Sequence, residues 1–307
     1  MEFNMIFSYN LIHAMIRSAT PILFAGLAAT ITNSTNILNV GIEGTMLIGA
    51  FIAVAVSFTT GSWLLGVLAA ICVGVLVSGI ISLAHLKYGG NIFAVGTTIN
   101  IFALAVTKFG LNTYLKSYGS FSSPDIDPIP NISIGFLSKN PVIDSIFNNY
   151  SILELFAIIL VIVMWFVLYK TVWGLQIRSV GLNPMAAQSS GVSSLGKQVQ
   201  TLLISGAIAG IGGAYISLGY TTQFVENMTG GRGFMGIAAM FFGGGNPINM
   251  WMGSLVFGFS DSLAARLQSL GFYAQFVLMV PYVATILVFA LSMYRQMRRE
   301  KKRKSAI

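Results

Sequence analysis

Charge is what this sequence has least of: 8% of its 307 residues are Asp, Glu, Lys or Arg, while 55% are hydrophobic. A soluble domain carries roughly 25% charged residues because its surface must be wetted. A water-exposed globule of this size is therefore excluded, and lipid is the solvent that removes the difficulty. Cysteine is nearly absent as well. The single Cys72 lies inside an apolar run, which leaves no internal disulfide and no cysteine-rich metal site. The two histidines, His13 and His85, are far apart and read as hydrogen-bonded helix-end residues rather than metal ligands. The N-terminus lacks a basic start before its apolar stretch, so no cleavable signal is expected and the first span is expected to remain.

What charge there is sits in one place. Arg295, Arg298, Arg299, Lys301, Lys302, Arg303 and Lys304 are seven of the 17 basic residues. With Glu300 subtracted they supply +6 of the net +8. A nucleic-acid binder spreads its basic face over a folded surface. A cluster just past a final apolar run reads instead as a cytoplasmic anchor beside an anionic leaflet, and no nucleic-acid partner is expected.

Crossing roughly 30 Å of hydrocarbon takes about 20 helical residues. Apolar runs of that order lie at 11–31, 41–60, 62–86, 91–112, 151–170, 198–218, 248–266 and 272–294. A shorter, glycine-interrupted run at 233–245 reads as a ninth span or a re-entrant half-helix. The runs are continuous rather than alternating, which excludes barrel strands. The expected fold is an all-α polytopic transmembrane helical bundle of about nine spans, forming one domain over 1–307. With the basic tail (295–307) in the cytoplasm, residues 171–197 are cytoplasmic and the Ser-, Asn-, Asp- and Pro-rich loop 113–150 is external. Counting back further puts Lys87 inside and the N-terminus outside.

Two stretches enter a helix from a glycine-marked turn. They are Asn39-Val-Gly-Ile-Glu43-Gly-Thr-Met-Leu-Ile-Gly-Ala-Phe51 and Gly230-Gly-Arg-Gly-Phe-Met-Gly-Ile-Ala-Ala-Met-Phe241. On this topology they begin in opposite directions, as possible inverted repeats would.

Two motif matches are refused. Gly191-Val-Ser-Ser-Leu-Gly196-Lys197-Gln198 nearly spells a P-loop, but Gln198 stands where Ser or Thr would ligate magnesium. Gly231-Arg-Gly233-Phe-Met-Gly236 fits a dinucleotide fingerprint without a βαβ unit around it. Intramembrane hydrolysis is unsupported too, since Asp261 is an aspartate inside an apolar run with no second one facing it. No catalytic residue, metal site or bound cofactor is expected in this chain, and it is not expected to be an enzyme.

Glu43 is the most informative single residue. A carboxylate near the start of an apolar helix must face a partner, a cavity or the protein interior. It either borders a solute path or caps a helix N-terminus, where the dipole favours negative charge. Asn39, Thr97 and Asn100 are polar groups that lipid penalises. They line the same path or bond across helices. Gly206-Ala-Ile-Ala-Gly210 and Gly212-Gly213 give small residues at helical spacing, a face for close packing.

Between two spans, Asn183 is placed to cap a short helix, Pro184 suits its first position and Gly191 its stop. Such a helix lying along the inner surface suits docking into a groove of a soluble partner.

These residues carry a resemblance. The stretch 39–51 resembles the early signature of membrane permeases of ABC importers, in the branched-chain amino acid, simple sugar and nucleoside group. Val180-Gly181-Leu-Asn183-Pro184-Met-Ala186-Ala187-Gln-Ser-Ser-Gly191 is similar to that group's cytoplasmic coupling loop. Gly206–Ala214, Gly233–Ala239 and Gly243-Gly-Gly-Asn-Pro247 are similar to its later spans. The Gly-Ile-Glu-Gly form at 41–44 is closest to the nucleoside-type branch. The resemblance implies alternating-access import of a nucleoside, with a ribose-like sugar or branched-chain amino acid as runner-up. It implies a cytoplasmic ABC ATPase holding ATP and Mg, a second, non-identical permease, and an extracellular substrate-binding lipoprotein. The implied setting is a bacterial plasma membrane with the C-terminus inside. Asn39, Glu43, Thr97 and Asn100 then belong to the path, and Gly181, Asn183, Pro184, Ala186, Ala187 and Gly191 to the coupling helix. Ala186, Ala187 and Gly191 are expected at the docking contact, because small side chains let another surface approach. An ion-coupled transporter is the main rival. It needs intramembrane charges, for which Glu43 and Asp261 are the candidates.

Overall fold

In the computed structural model the described residues are 9–133, 148–269, 279 and 283. They form ten α-helices: α1 Tyr9–Asn33, α2 Ile42–Thr60, α3 Trp63–Ser82, α4 Ile92–Thr113, α5 Ile152–Lys170, α6 Val172–Leu182, α7 Pro184–Ser189, α8 Ser194–Ala214, α9 Arg232–Phe242 and α10 Pro247–Ser269. Wider π-type turns extend α3 through Leu83–Lys87 and α8 through Tyr215–Tyr220. The only strands among the described residues are two-residue pieces. Ser120–Phe121 pairs with Phe224–Val225, and Asn131–Ile132 with Tyr150–Ser151. The fold is a polytopic helical bundle.

Six helices, 11–33, 42–60, 63–87, 92–113, 152–170 and 194–220, are long and apolar enough to cross a membrane. Each matches an expected run to within a few residues. α10 has 23 residues over the expected 248–266 but is more polar, with Asp261 and Arg266 along it. α9 has 11 residues, roughly 16 Å of helix. That is half the hydrocarbon thickness, so 233–245 is not a span. The run 272–294, the tail 295–307 and Lys139 and Asp144 of the loop expected to be external lie outside the described residues, apart from positions 279 and 283.

Close backbone approach organises the centre. Gly206 and Gly210 of α8 face Gly74 and Ala70 of α3, and Gly213 faces Met46 of α2, each glycine so near that a methyl group would strike a backbone carbonyl. Without a hydrophobic drive between helices in lipid, such approach supplies the packing contacts. α1 and α2 are 78% buried over their spanning windows, whereas α4 is 22% buried and lies at the rim.

α1 serves as a ruler for depth. Ser18, Phe24 and Thr35 meet Tyr220, Gly212 and Thr201 of the antiparallel α8. Gly236 of α9 packs on Ala25 and Gly26 at the middle of α1, and Gly245 reaches Asn33 at its end. Thus α9 starts halfway through the bundle and runs to one face only. Residues 34–41 double back from the end of α1 to the same depth, where α2 starts against α9.

The loop after α4 caps the helices it covers. The Asp127 carboxylate accepts the Trp63 amide at 3.0 Å, closing the N-terminus of α3, and Ser57 exchanges bonds with the Asp127 backbone.

Candidate solute path where two helices begin

The N-termini of α2 and α9 meet inside the bundle, and each is capped by a side chain from elsewhere in the chain. At α2, the Gly44 amide donates to Asn100 Oδ1 at 2.8 Å, while Asn100 Nδ2 donates to the Val40 carbonyl at 3.1 Å. At α9, the Gly231 and Gly233 amides donate to Glu43 Oε1 at 2.9 Å and Oε2 at 2.6 Å. Unpaired first-turn amides and the helix dipole make such an end attractive to an anion. Here the anion is Glu43, itself in the first turn of α2 and 8% exposed.

The glycines that look like a dinucleotide fingerprint serve this contact. Gly231 adopts a left-handed φ of 83° as the cap residue. Arg232 between them turns away to Asp261 at 3.3 Å and to the Met228 carbonyl at 3.1 Å, pinning the turn to α10.

A cleft of about 360 Å³ opens at this meeting point. Glu43 and Asn100 form its polar wall, Leu47, Leu104 and Phe234 its apolar wall, and Asn227 joins from the loop before α9. Among the described residues, no lysine, arginine or histidine lines it. This is the usual make-up of a small-molecule site, an aromatic and aliphatic surface with a few placed polar groups.

Of the four residues expected along a path, the structure brings Glu43 and Asn100 together and leaves the other two out. Asn39 is 1% exposed, and its Oδ1 accepts the Gly41 amide at 3.0 Å, a turn-forming contact outside the cleft lining. Thr97 is exposed on α4 and turns its hydroxyl back to the Phe93 and Ala94 carbonyls at 2.9 and 3.1 Å. Neither reading of Glu43 excluded the other: it borders the cleft and caps a helix, though the helix is α9 rather than its own.

Besides Glu43 and Asp261, further charges stand in ion pairs along the helices, buried at Glu154 and exposed at Lys108. Arg17 of α1 pairs with Glu154 of α5 at 3.6 Å, Lys108 of α4 with Glu226 at 3.3 Å, and Arg232 with Asp261. Glu154 also accepts the Tyr215 hydroxyl and the Ser151 amide. The Ser151-x-x-Glu154 spacing ahead of an apolar run was the available signal. Beside this knot His13 stacks on Tyr150 with ring centroids 4.6 Å apart. Burial, with the Glu154 charge second, pushes the Tyr150 phenol up to about 12, so it stays neutral at physiological pH.

On the opposite face α7 forms as the residues demand. Asn183 Oδ1 accepts the Met185 and Ala186 amides at 3.1 Å each, Pro184 opens the helix, and Gly191 ends it at φ 82°. Of the residues expected at a docking contact, Ala186 and Gly191 are exposed and Ala187 is not. Ala187 is 4% exposed and seats α7 on its own chain, and Gly181 packs against the Ser34 carbonyl. Beside Ala186 the outward surface carries two large apolar side chains, Leu182 89% and Met185 80% exposed. The near-P-loop 191–198 is the turn into α8, with no strand before it.

A family model described as "Branched-chain amino acid transport system / permease component" matches residues 11–291. The chain is 34% identical over 289 residues to the nucleoside ABC transporter permease protein NupC of Lactococcus lactis, with 90% of each chain covered. It is 32% identical over 289 residues to the guanosine ABC transporter permease protein NupQ of Bacillus subtilis, again with 90% of each covered. The putative glucose ABC transporter permease protein TsgC13 of Haloferax volcanii is 30% identical over 267 residues, 87% of this chain and 80% of its own. No solved structure matches the chain.

Proposed function

The chain belongs to the family of branched-chain amino acid transport system permease components, and from that premise we propose that it is the permease of an ATP-driven importer whose solute is a nucleoside. The observation that carries the path is the cleft where α2 and α9 begin, bordered by Glu43 and Asn100 and backed by Phe234. A nucleoside has a flat base and a ring of hydroxyls. Phe234 offers the base an aromatic surface, while Asn100 and Asn227 offer both donors and acceptors. The relatives named for nucleoside and guanosine transport support this solute.

The energy comes from a separate cytoplasmic ATPase gripping α7. Its nucleotide and magnesium are bound there, not in this chain. The exposed Leu182 and Met185 give that subunit an apolar handhold, as helix-in-groove docking requires. A second, non-identical permease completes the path against the open side of the cleft, and an external lipoprotein delivers the solute. The setting is a bacterial plasma membrane with the C-terminus inside.

Uptake of labelled nucleoside into vesicles holding both permeases, the ATPase and the binding protein tests this. Uptake that needs ATP and survives ionophores is expected, and uptake that follows an ion gradient without ATP overturns it. The ion-coupled alternative needs charges available for coupling, whereas Arg17, Lys108, Arg232, Glu154 and Asp261 all stand in ion pairs. The relative named for glucose supports a sugar as the second reading, and a tenfold excess of glucose in the same assay separates the two.

A further inference from the structure

We propose that Glu43 is the selectivity residue of the path: it fills the anion-attracting end of α9 from within, so that the cleft accepts an uncharged nucleoside and turns away the phosphorylated form. This rests on the nucleoside path proposed above and names the charge state that path admits.

Two helix N-termini facing one small cleft would ordinarily make a phosphate site, since both dipoles and the unpaired first-turn amides point at the same space. In this chain that capacity is consumed. The Gly231 and Gly233 amides are held by the two oxygens of Glu43, and the Gly44 amide by Asn100 Oδ1. Among the described residues, no cation lines the cleft to replace them. The nearest arginine in sequence, Arg232, spends its guanidinium on Asp261 and on the Met228 and Thr229 carbonyls, and Lys108 is paired with Glu226. A phosphate entering here would lose its water, find no positive charge, and lie beside a carboxylate.

The same carboxylate suits a neutral solute. Each of its oxygens accepts one amide, and a carboxylate oxygen can accept two hydrogen bonds. The remaining capacity faces donors such as sugar hydroxyls, which a nucleoside carries and which need no counter-charge. One group thus supplies both the attraction and the repulsion on which selectivity rests. A sequence search for cationic phosphate binders would find nothing at this site, because the discrimination lies in an acid placed where a phosphate would otherwise bind.

The test uses the assembled transporter in nanodiscs without its binding protein, so that discrimination by the binding protein is removed. Uridine and uridine 5′-monophosphate are the probes, read by saturation-transfer NMR. Wild type is compared with Glu43→Gln, so that nucleotide contacts with the ATPase cancel in the difference. Leu104→Lys is a second variant that adds a cation at the cleft wall and leaves both caps intact. Wild type is expected to contact uridine and to disfavour the monophosphate by about tenfold or more, the scale of one charge at a few ångströms in a partly screened site. Either variant should narrow that ratio to about threefold or less, the ratio being read so that any change in uridine contact itself is divided out. Uridine contact with an unchanged ratio in both variants overturns the filter alone. Absence of uridine contact at the cleft in wild type overturns the nucleoside path on which the filter rests.

Discussion

A β-carbon on Gly233 would stand 2.6 Å from Glu43 Oε2 and 2.7 Å from the Glu43 Cα. The starts of α2 and α9 therefore touch backbone to backbone, and the carboxylate reaches its amides only because residue 233 has no side chain. Gly233→Ala is expected to push the two apart, with overpacking of about 1–3 kcal/mol. Loss of the 2.6 Å bond adds to it. A lower midpoint in thermal denaturation of the nanodisc-held protein, together with loss of uptake, checks this. A fully active Gly233→Ala protein would show that the contact is dispensable.

Asn100 joins the cap of α2 to the wall of the cleft. Asn100→Ala leaves the Gly44 amide and the Val40 carbonyl without their partner, at about 1–3 kcal/mol. Asn100→Asp keeps an acceptor for Gly44 and loses the donor to Val40. The expected order of thermal stability is wild type, then the aspartate variant, then the alanine variant, with uptake reduced in both.

At α7 the two faces should separate cleanly. Met185→Glu alters a side chain that is 80% exposed, so the midpoint should hold within the scatter of surface changes, about 0.5 kcal/mol. Co-purification of the ATPase and nucleoside-stimulated ATP hydrolysis should fall. Ala187→Glu buries a charge at a position 4% exposed and should destabilise the protein itself. Equal effects of the two substitutions on stability would refute the assigned orientation.

The Arg17–Glu154–Tyr215 knot ties α1, α5 and α8 together. Glu154→Ala leaves the Tyr215 hydroxyl, the Ser151 amide and the Arg17 charge short of an acceptor, an expected loss of about 3 kcal/mol. Arg17→Met combined with Glu154→Leu removes both charges and should recover part of it. A double variant less stable than the single one, by the same denaturation assay, would contradict this account.

The six long helices were legible because hydrocarbon imposes a length, whereas the short run 233–245 left two assignments open. α7 was legible because Asn183, Pro184 and Gly191 act on their own neighbours. The cleft was legible in part. Glu43 stood out as a charge in an apolar context, but the amides it binds lie 188 and 190 positions away in sequence, and no periodicity records that. Asn39, Thr97 and Asn100 look alike as polar residues in greasy surroundings. Which of them faces a neighbour depends on helix rotation, and hence on packing. Arg17 and Glu154 were overlooked because each reads as a helix-end charge until the two ends are brought to 3.6 Å.

The reach from Glu43 to the amides near residue 231 has a consequence for how the chain is made. During synthesis the first hairpin enters the lipid with that acid in place, and its receptor does not yet exist. The 188 positions from Glu43 to Gly231 take on the order of 10–40 s at the usual pace of elongation. The carboxylate waits for that interval unclaimed, so this contact at the centre of the molecule closes only after most of the polypeptide has been made.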